Sequence, residues 1–106
     1  MNTELPALPY YAVIFTSLKT GNDLDGYSEM SGKMFELAAL QNGFLGVESA
    51  REDIGITVSY WKSGEDILLW KKNIEHLMAQ KSGIEKWYQY YTVRVCKVER
   101  QYMFEK

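Results

Sequence analysis

Cysteine and histidine are nearly absent from this chain of 106 residues, which contains one of each, Cys96 and His76. A lone cysteine cannot close a disulfide within the chain, and no group of Cys and His residues has the spacing of metal ligands. We therefore expect neither structural zinc nor an iron–sulfur cluster. We expect Cys96, which follows Val95 in a β-rich stretch, to be a small buried side chain.

Long apolar runs and an excess of one charge are also missing. No run approaches the roughly 20 apolar residues that a membrane-spanning helix needs. Residues 1–4 lack the basic start and the apolar stretch of a signal peptide. Twelve Lys and Arg stand against fourteen Asp and Glu, and no basic stripe is present to neutralise phosphates. We expect a cytoplasmic protein that binds no nucleic acid and no membrane.

Proline is confined to the first ten residues, at Pro6 and Pro9, and no linker, repeat or low-complexity tract follows. Hydrophobic residues make up 46% of the chain and charged residues 25%, which is the composition of one globular domain. We expect a single domain over residues 1–106, in which residues 1–9 form a loose N-terminal lead.

The first half of the chain predicts a strand, a helix and a hairpin. Aromatic and β-branched residues fill positions 10–18, which indicates a strand. After a turn at 20–23, apolar residues recur at helical spacing until Gly43, which should end the helix. Residues 44–51 and 56–62 predict two antiparallel strands. The apolar positions of the helix are Tyr27, Met30, Met34, Leu37 and Ala38.

The second half predicts a helix and a closing strand. Ser63 and Asp66 have the spacing of a capping box, so a second helix should begin here and end at Gly83. A short irregular or helical piece at 85–87 then leads to a long strand over residues 88–104. The order β-α-β-β-α-β predicts a ferredoxin-like α+β fold, with a four-stranded antiparallel sheet and both helices on one face. The apolar line of the second helix is Ile67, Trp70, Ile74, Leu77 and Met78.

The first strand also predicts an assembly. Its two faces are both apolar, because successive side chains of a strand point to opposite sides. The two helices can cover only one of these faces. We therefore predict a homodimer in which two copies pack their sheet faces together. The residues of the two faces are Tyr11, Val13 and Phe15 on one side, and Tyr10, Ala12, Ile14 and Leu18 on the other.

Charged residues on the predicted strands need partners where they face inward. Glu48, Arg51 and Arg94 lie on predicted strands, and we expect Glu48 to pair with an arginine of a neighbouring strand or across the dimer interface, with a catalytic pair as the alternative.

Several phrases resemble the antibiotic biosynthesis monooxygenase family, and together they extend over residues 10–104. The resemblance implies a dimeric α+β barrel with a pocket between helices and sheet in each subunit. Members of this family include oxygenases that act on aromatic polyketides with O₂ and neither metal nor flavin, enzymes that degrade haem, and proteins with no established activity. The phrases are Gly-Phe-Leu-Gly-Val-Glu-Ser-Ala-Arg (43–51), Val-Ser-Tyr-Trp (58–61), Trp-Lys-Lys-Asn-Ile-Glu-His (70–76), Trp-Tyr (87–88) and Arg-Val-Cys-Lys-Val-Glu-Arg-Gln-Tyr (94–102).

The function that this resemblance implies is a cofactor-independent monooxygenase acting with O₂ on a small aromatic or polyketide-like compound. One alternative is a haem-binding or haem-degrading protein, in which His76 would ligate iron beside Trp70. The haem-degrading branch also has an Asn on the first strand, and residues 10–18 contain none. Haem is therefore the less favoured cofactor, and no cofactor is the expectation. The other alternative is a non-catalytic small-molecule binding module.

The catalytic candidates lie on the second helix. His76 is the one side chain that exchanges protons near neutral pH without a perturbed environment, and helical spacing places it at the edge of the packed face. Trp70 and Asn73 join it, since the resemblance implies a tryptophan and an amide that bind and polarise the substrate. A hydrogen-bonded surface histidine and a core tryptophan are the alternatives to these roles.

Aromatic side chains are the candidates for binding a flat ring. We predict that Trp61, Tyr60 and Tyr91 contact the substrate, because aromatic walls bind planar compounds in dry pockets. Packing in the core is the alternative explanation for each of them.

Overall fold

The computed structural model describes residues 5–81 and 83–106, and within them the side chains outside 78–84. One antiparallel sheet has the strand order β2-β3-β1-β4. The predicted ferredoxin-like α+β fold is confirmed, and α3 is the predicted short helical piece. The packing of Met78 and the structure of residues 1–4 lie outside the described residues. The elements are β1 (Tyr10–Lys19), α1 (Leu24–Ala39), β2 (Phe44–Arg51), β3 (Ile54–Trp61), α2 (Gly64–Lys81), α3 (Gly83–Trp87) and β4 (Tyr88–Val98).

The strand register divides the sheet into two faces. Tyr11 lies opposite Trp61, and both pack against the helices with Val13. The face that carries the odd-numbered residues of β1 is therefore the helix-side face. The even-numbered residues from Tyr10 to Leu18 lie on the other side, the open face, since side chains alternate along a strand. The prediction that both faces of the first strand are apolar is confirmed.

Two hydrophobic clusters join the helices to the sheet. The first cluster centres on Trp61 and Trp70, and the second on Met30 and Trp87. Leu37 of α1 touches both. None of the helices in the described ranges has the length and apolar character needed to cross a membrane. The buried members are Ala38, Trp61, Ile67 and Trp70 in the first cluster and Met30, Leu77 and Trp87 in the second.

The loop between α1 and β2 packs against the start of α2. Gly43 has a left-handed φ of 80°, and its carbonyl accepts the Lys62 N–H at 2.7 Å. A Cβ on Gly43 would overlap the Asp66 carboxylate. Asp66 makes the first bond of the predicted capping box, since its N–H donates to Ser63 Oγ at 3.2 Å, and its Oδ2 accepts from the Ser63 hydroxyl at 2.8 Å. Both the turn and the close approach therefore require glycine at position 43.

The start of α1 is held to α3 by one carboxylate. Asp23 Oδ2 accepts the Trp87 Nε1–H at 3.1 Å and lies 3.2 Å from Lys86 Nζ. The hydrogen bonds from Trp87 and Lys86 lower the pKa of the Asp23 carboxyl, because both favour its ionised form.

The end of the last strand corrects the prediction. β4 ends at Val98 rather than at Phe104. Its pairing with β1 runs out where Tyr10 lies opposite Val98, so no strand partner remains for the following residues. The sequence beyond Val98 contains the strand-forming residues Tyr102 and Phe104, but a strand needs a neighbour to satisfy its backbone groups.

Three further predictions differ from the structure. The helix α1 ends at Ala39, before the predicted stop at Gly43, and the strand β3 begins at Ile54, which shortens the hairpin loop. Cys96 is exposed rather than buried. It lies opposite Ala12 on β4, an edge strand whose even-numbered residues belong to the open face that no helix covers.

Substitution of Gly43 and Gly32 by alanine should change stability in opposite directions. Gly43→Ala should lower the free energy of unfolding by at least about 1–2 kcal/mol, since the residue is left-handed and faces Asp66. Gly32→Ala should raise it by about 0.5–1 kcal/mol, because Gly32 lies inside α1 with open space around its Cα. Urea unfolding at one fixed protein concentration measures both. An unchanged midpoint for Gly43→Ala would contradict the account of this corner.

The Asp23 carboxylate should make the stability of the fold depend on pH in the acidic range. Its folded pKa is lowered, so its contribution is present above the unfolded pKa of about 3.9 and is lost as the pH falls through the folded value. Asp23→Asn should therefore destabilise the protein near pH 7, and the difference from wild type should shrink below about pH 3. Thermal unfolding between these pH values tests this, with Asp25→Asn in the same turn as control. A difference that persists in acid would argue against the carboxylate as its source.

Candidate functional site

We infer a trough between the helices and the sheet, between the two hydrophobic clusters, from the exposure of the strand residues there. Its floor consists of two cross-strand rows on the helix-side face. Central-strand residues of these rows are only partly buried although the helices lie on this side, and on the edge strand Val93 is 49% and Val95 56% exposed. The helix-side face is therefore closed at its two ends and open between them. The rows are Ser49–Thr57–Phe15–Val93 and Val47–Ser59–Val13–Val95.

Three of the four floor residues on β2 and β3 carry hydroxyls, the fourth being Val47, and all four on β1 and β4 are apolar. On β2 and β3, the hydroxyls of Ser49 and Thr57 lie 3.2 Å apart, and Ser59 Oγ accepts the Trp61 Nε1–H at 2.8 Å. On β1 and β4, the floor is formed by Val13 and Phe15 and by the two valines of β4. This division suits a flat ligand with oxygen atoms along one edge and hydrocarbon along the other.

The first cluster closes one end of the trough. Trp61 is fully buried and stacks on Trp70 with ring centroids 5.9 Å apart. Phe44 packs edge-on against Trp61 at 5.4 Å. These contacts leave no free face on Trp61, so this end is a packed wall.

Aromatic residues close the other end. Phe15 stacks on Tyr91 at 5.3 Å, and Tyr88 packs edge-on against both rings. Tyr27 of α1 packs edge-on against Tyr88 at 5.8 Å and against Trp87 at 6.3 Å. We call Tyr27, Tyr88 and Tyr91 the tyrosine cluster. It connects the end of the trough floor to α1 and α3.

The tyrosine cluster contains a phenol that stays protonated. Burial raises the pKa of Tyr88, and the neighbouring Tyr27 hydroxyl raises it further, while the positive charge of Arg51 opposes them. Tyr88 therefore keeps its proton at all ordinary pH values and cannot serve as a base. Its hydroxyl shares a hydrogen bond with that of Tyr27.

One arginine lies at the border between the trough and the tyrosine cluster. The next row along the sheet is Arg51–Gly55–Ser17–Tyr91. The Arg51 side chain crosses over Gly55, where a Cβ would overlap its guanidinium. Its Nη2 donates to the buried Ser17 Oγ at 2.6 Å and lies 3.5 Å from the Tyr27 hydroxyl. The absent side chain at Gly55 thus allows a residue of β2 to reach β1.

The predicted site residues are divided among four places. Tyr91 lies at the border of the trough. Trp61 and Trp70 meet in the wall of the first cluster. Asn73 is exposed on α2, and its Nδ2 donates to Gln41 Oε1 at 3.1 Å. His76, which the haem alternative makes an iron ligand, is also exposed on α2.

Tyr60 lies on the open face, away from the trough. It packs edge-on against Tyr10 at 5.8 Å, and burial together with the nearby Glu48 carboxylate raises its pKa. Glu48 thus lies beside a tyrosine, and neither of the ion pairs found among the described side chains includes it. A pair across the dimer interface stays a prediction.

Sequence reasoning did not single out Ser17, Tyr27 and Tyr88 as site residues, and it treated Arg51 as one half of an ion pair. The glycine at position 55, inside a strand predicted to pair with the strand of Arg51, was the available indication of a close approach. In the described ranges, no group of three or more His, Cys, Asp or Glu side chains could hold a metal ion.

Solved structures share this fold at low sequence identity, and no family model matches the chain. A proposed antibiotic biosynthesis monooxygenase from Nitrosomonas europaea has a TM-score of 0.65 and 13% identity, covering 93% of this chain and 96% of that one. SnoaB, a cofactor-independent oxygenase from Streptomyces nogalater, has a TM-score of 0.63 and 10% identity, covering 94% and 100%. A dimeric ferredoxin-like protein from an uncultured marine organism has a TM-score of 0.69 and 9% identity, covering 91% and 93%. The resemblance to the monooxygenases is thus supported at the level of the fold.

A much more similar relative comes from Bacillus subtilis. The uncharacterised protein YqjZ is 51% identical over 106 residues, which cover 98% of this chain and 92% of the relative. Identity of this degree over nearly all of both proteins shows common descent and not only a common fold. The chain belongs to the family of YqjZ.

Proposed function

We propose that the protein is a cofactor-independent monooxygenase that uses O₂ to oxidise a small planar phenolic compound bound in the trough. The observation that carries this proposal is the divided floor, with hydroxyls on β2 and β3 and hydrocarbon on β1 and β4. A flat phenol can place its ring on the apolar half and its oxygen beside Ser49 and Thr57. The monooxygenase names of two proteins of this fold add support.

The chemistry that this arrangement supports uses the substrate as reductant. An ionised phenol donates electrons to O₂, and a CH₂ carbon of its ring system becomes C=O while the second oxygen atom leaves as water. In this reaction the substrate loses two hydrogens and gains one oxygen, so no other electron donor is needed. The protein binds the ring, excludes water and donates hydrogen bonds to the phenolate oxygen, whose ionised form those bonds stabilise.

The predicted site residues take different parts in this proposal. Tyr91 contacts the substrate ring beside Phe15, while Trp61 and Trp70 hold the opposite wall. The assignments of Tyr60 to substrate binding and of Asn73 and His76 to catalysis stay predictions. Alanine substitutions of Asn73 and His76 in the assay below test whether these residues are catalytic. An unchanged kcat in either variant would show that the substituted residue is not.

Loss of a floor hydroxyl should slow oxidation. In an oxygen-electrode assay with a panel of hydroxylated anthrones, which carry the required CH₂ carbon, wild type should consume O₂ with at least one compound. Ser49→Ala should lower kcat about tenfold or more, since it removes a donor to the phenolate. Ser28→Ala, on the exposed part of α1, is the matched control and should leave the rate unchanged. Equal rates for the two variants would contradict the placement of the phenolate.

A second candidate function is a non-catalytic binding module. None of the eight floor residues is a carboxylate or an imidazole, so the floor itself supplies no base to ionise a weakly acidic phenol. Tight binding of several of these compounds without any O₂ consumption would favour this function over the oxygenase. A Soret band that forms on adding haem and disappears in His76→Ala would instead favour the haem alternative.

We propose further that the protein is a homodimer in which two copies pack their open faces together, and that it is cytoplasmic. The open face carries exposed apolar residues of β3 and β4, among them Ile54 at 49%, Ile56 at 46% and Tyr90 at 45%. An apolar sheet face of this kind is normally covered. The dimeric ferredoxin-like protein of the same fold adds support.

A charge on the open face should prevent dimerisation. Wild type should have the mass of a dimer by light scattering at micromolar concentration, and Ile56→Lys should have the mass of a monomer, because lysine would be desolvated in the interface. Leu68→Lys is the control, since Leu68 is exposed on α2 and not on the sheet. A monomeric wild type, or a dimeric Ile56→Lys variant, would contradict this arrangement.

A further inference from the structure

Arg51 is a partly buried cation that forms no ion pair with any carboxylate of the described side chains. Its Nη2 donates to the neutral Ser17 hydroxyl and, at 3.5 Å, to the Tyr27 hydroxyl, while its Nη1 donates to the Asp53 carbonyl at 3.5 Å. Neither ion pair among the described side chains includes Arg51. A guanidinium has five N–H donors in a planar fork, so donors remain for a further acceptor.

A second cation lies at the same place. Lys19, two residues after Ser17 on β1, places its Nζ 4.5 Å from the centroid of the Tyr27 ring, and the Arg51 guanidinium carbon lies 5.9 Å from the same centroid. Lys19 also lies outside the ion pairs of the described side chains. Two positive charges therefore meet at one tyrosine in a chain whose net charge is −2.

This corner adjoins the floor of the trough. Arg51 lies in the row next to that of Ser49 and Thr57, on the same face and at the end of the polar half. Tyr88, which keeps its proton, lies beside Tyr27. An acceptor at the end of the trough would thus meet a guanidinium fork and two phenol groups, while its hydrocarbon part could lie on Phe15.

We propose that Arg51 binds an ionised carboxylate of the ligand, so that the compounds taken by the trough are aromatic acids. The proposal rests on the trough as the ligand site of the proposed function, and it names the substrate class. A carboxylate matches the planar fork of arginine through two parallel hydrogen bonds and would neutralise a charge that no acid of the described residues neutralises. Lys19 raises the positive potential at the same place.

A matched pair of ligands tests this proposal without any reaction. Binding of 2-naphthoate and of its neutral analogue 2-naphthalenemethanol is measured by isothermal titration calorimetry at pH 7 and low salt. This measurement does not depend on whether the protein oxidises any compound. Wild type should bind the acid at least tenfold more tightly than the alcohol. Arg51→Gln should remove this preference, since the shorter neutral side chain carries neither the charge nor the planar fork.

Two further variants make the result specific. Arg51→Lys keeps the charge without the fork and should retain part of the preference. Arg100→Gln, which removes an exposed arginine beyond β4, should retain all of it. Circular dichroism verifies that each variant is folded. Equal binding of the acid and the alcohol by wild type, or an undiminished preference in folded Arg51→Gln, would overturn the proposal.

The two proposals can fail independently. Preference for the acid with no O₂ consumption would support the carboxylate site and favour a binding module over the oxygenase. O₂ consumption with neutral phenols and no preference for the acid would support the oxygenase and overturn the carboxylate site.

Discussion

The packing of three tryptophans at the two ends of the helix-side face is the contact on which the rest of the structure depends. Trp61 and Trp70 stack at one end of the helix-side face, and Trp87 fills the other. Between them the floor has only valines, small hydroxyl residues and one phenylalanine, all of which are smaller than the indoles at the two ends. Close packing at the two ends therefore produces a trough in the middle, and burial at those ends supplies the hydrophobic stabilisation that the middle lacks.

Element order could be predicted because each element carries its own pattern. Helical spacing and a capping box identify α1 and α2, and β-branched runs identify the strands. The end of a strand that depends on its neighbour could not be predicted in the same way. β4 ends at the point where β1 has no residue left to pair with it. The alternation of side chains along a strand separates two of the predicted site residues. Tyr60 and Trp61 are adjacent in β3, so they point to opposite faces and cannot line the same pocket. The contact of Arg51 with Ser17 spans 34 positions and depends on register, which no local pattern contains.

The chemistry of the site follows from what its side chains can and cannot exchange. Tyr88 holds its proton because it is buried beside another phenol, and the floor contributes hydroxyls and no base. An oxidation that begins with an already ionised substrate suits such a surface, because fixed donors then stabilise charge without having to accept a proton. The same donors and cations would hold an acidic ligand whether or not it reacts, so binding and turnover are separable properties of this trough.

Because the Arg51 side chain crosses over Gly55, the residues at these two positions constrain each other during evolution. A side chain at position 55 and a guanidinium reaching from position 51 would occupy the same volume, so neither residue can change freely while the other is kept. Within the family, a gain of bulk at position 55 should accompany loss of the arginine. Members with a larger residue at position 55 and no arginine at position 51 would then differ from the present chain in the charge of the compounds they bind. The presence of glycine at position 55 would distinguish the two groups.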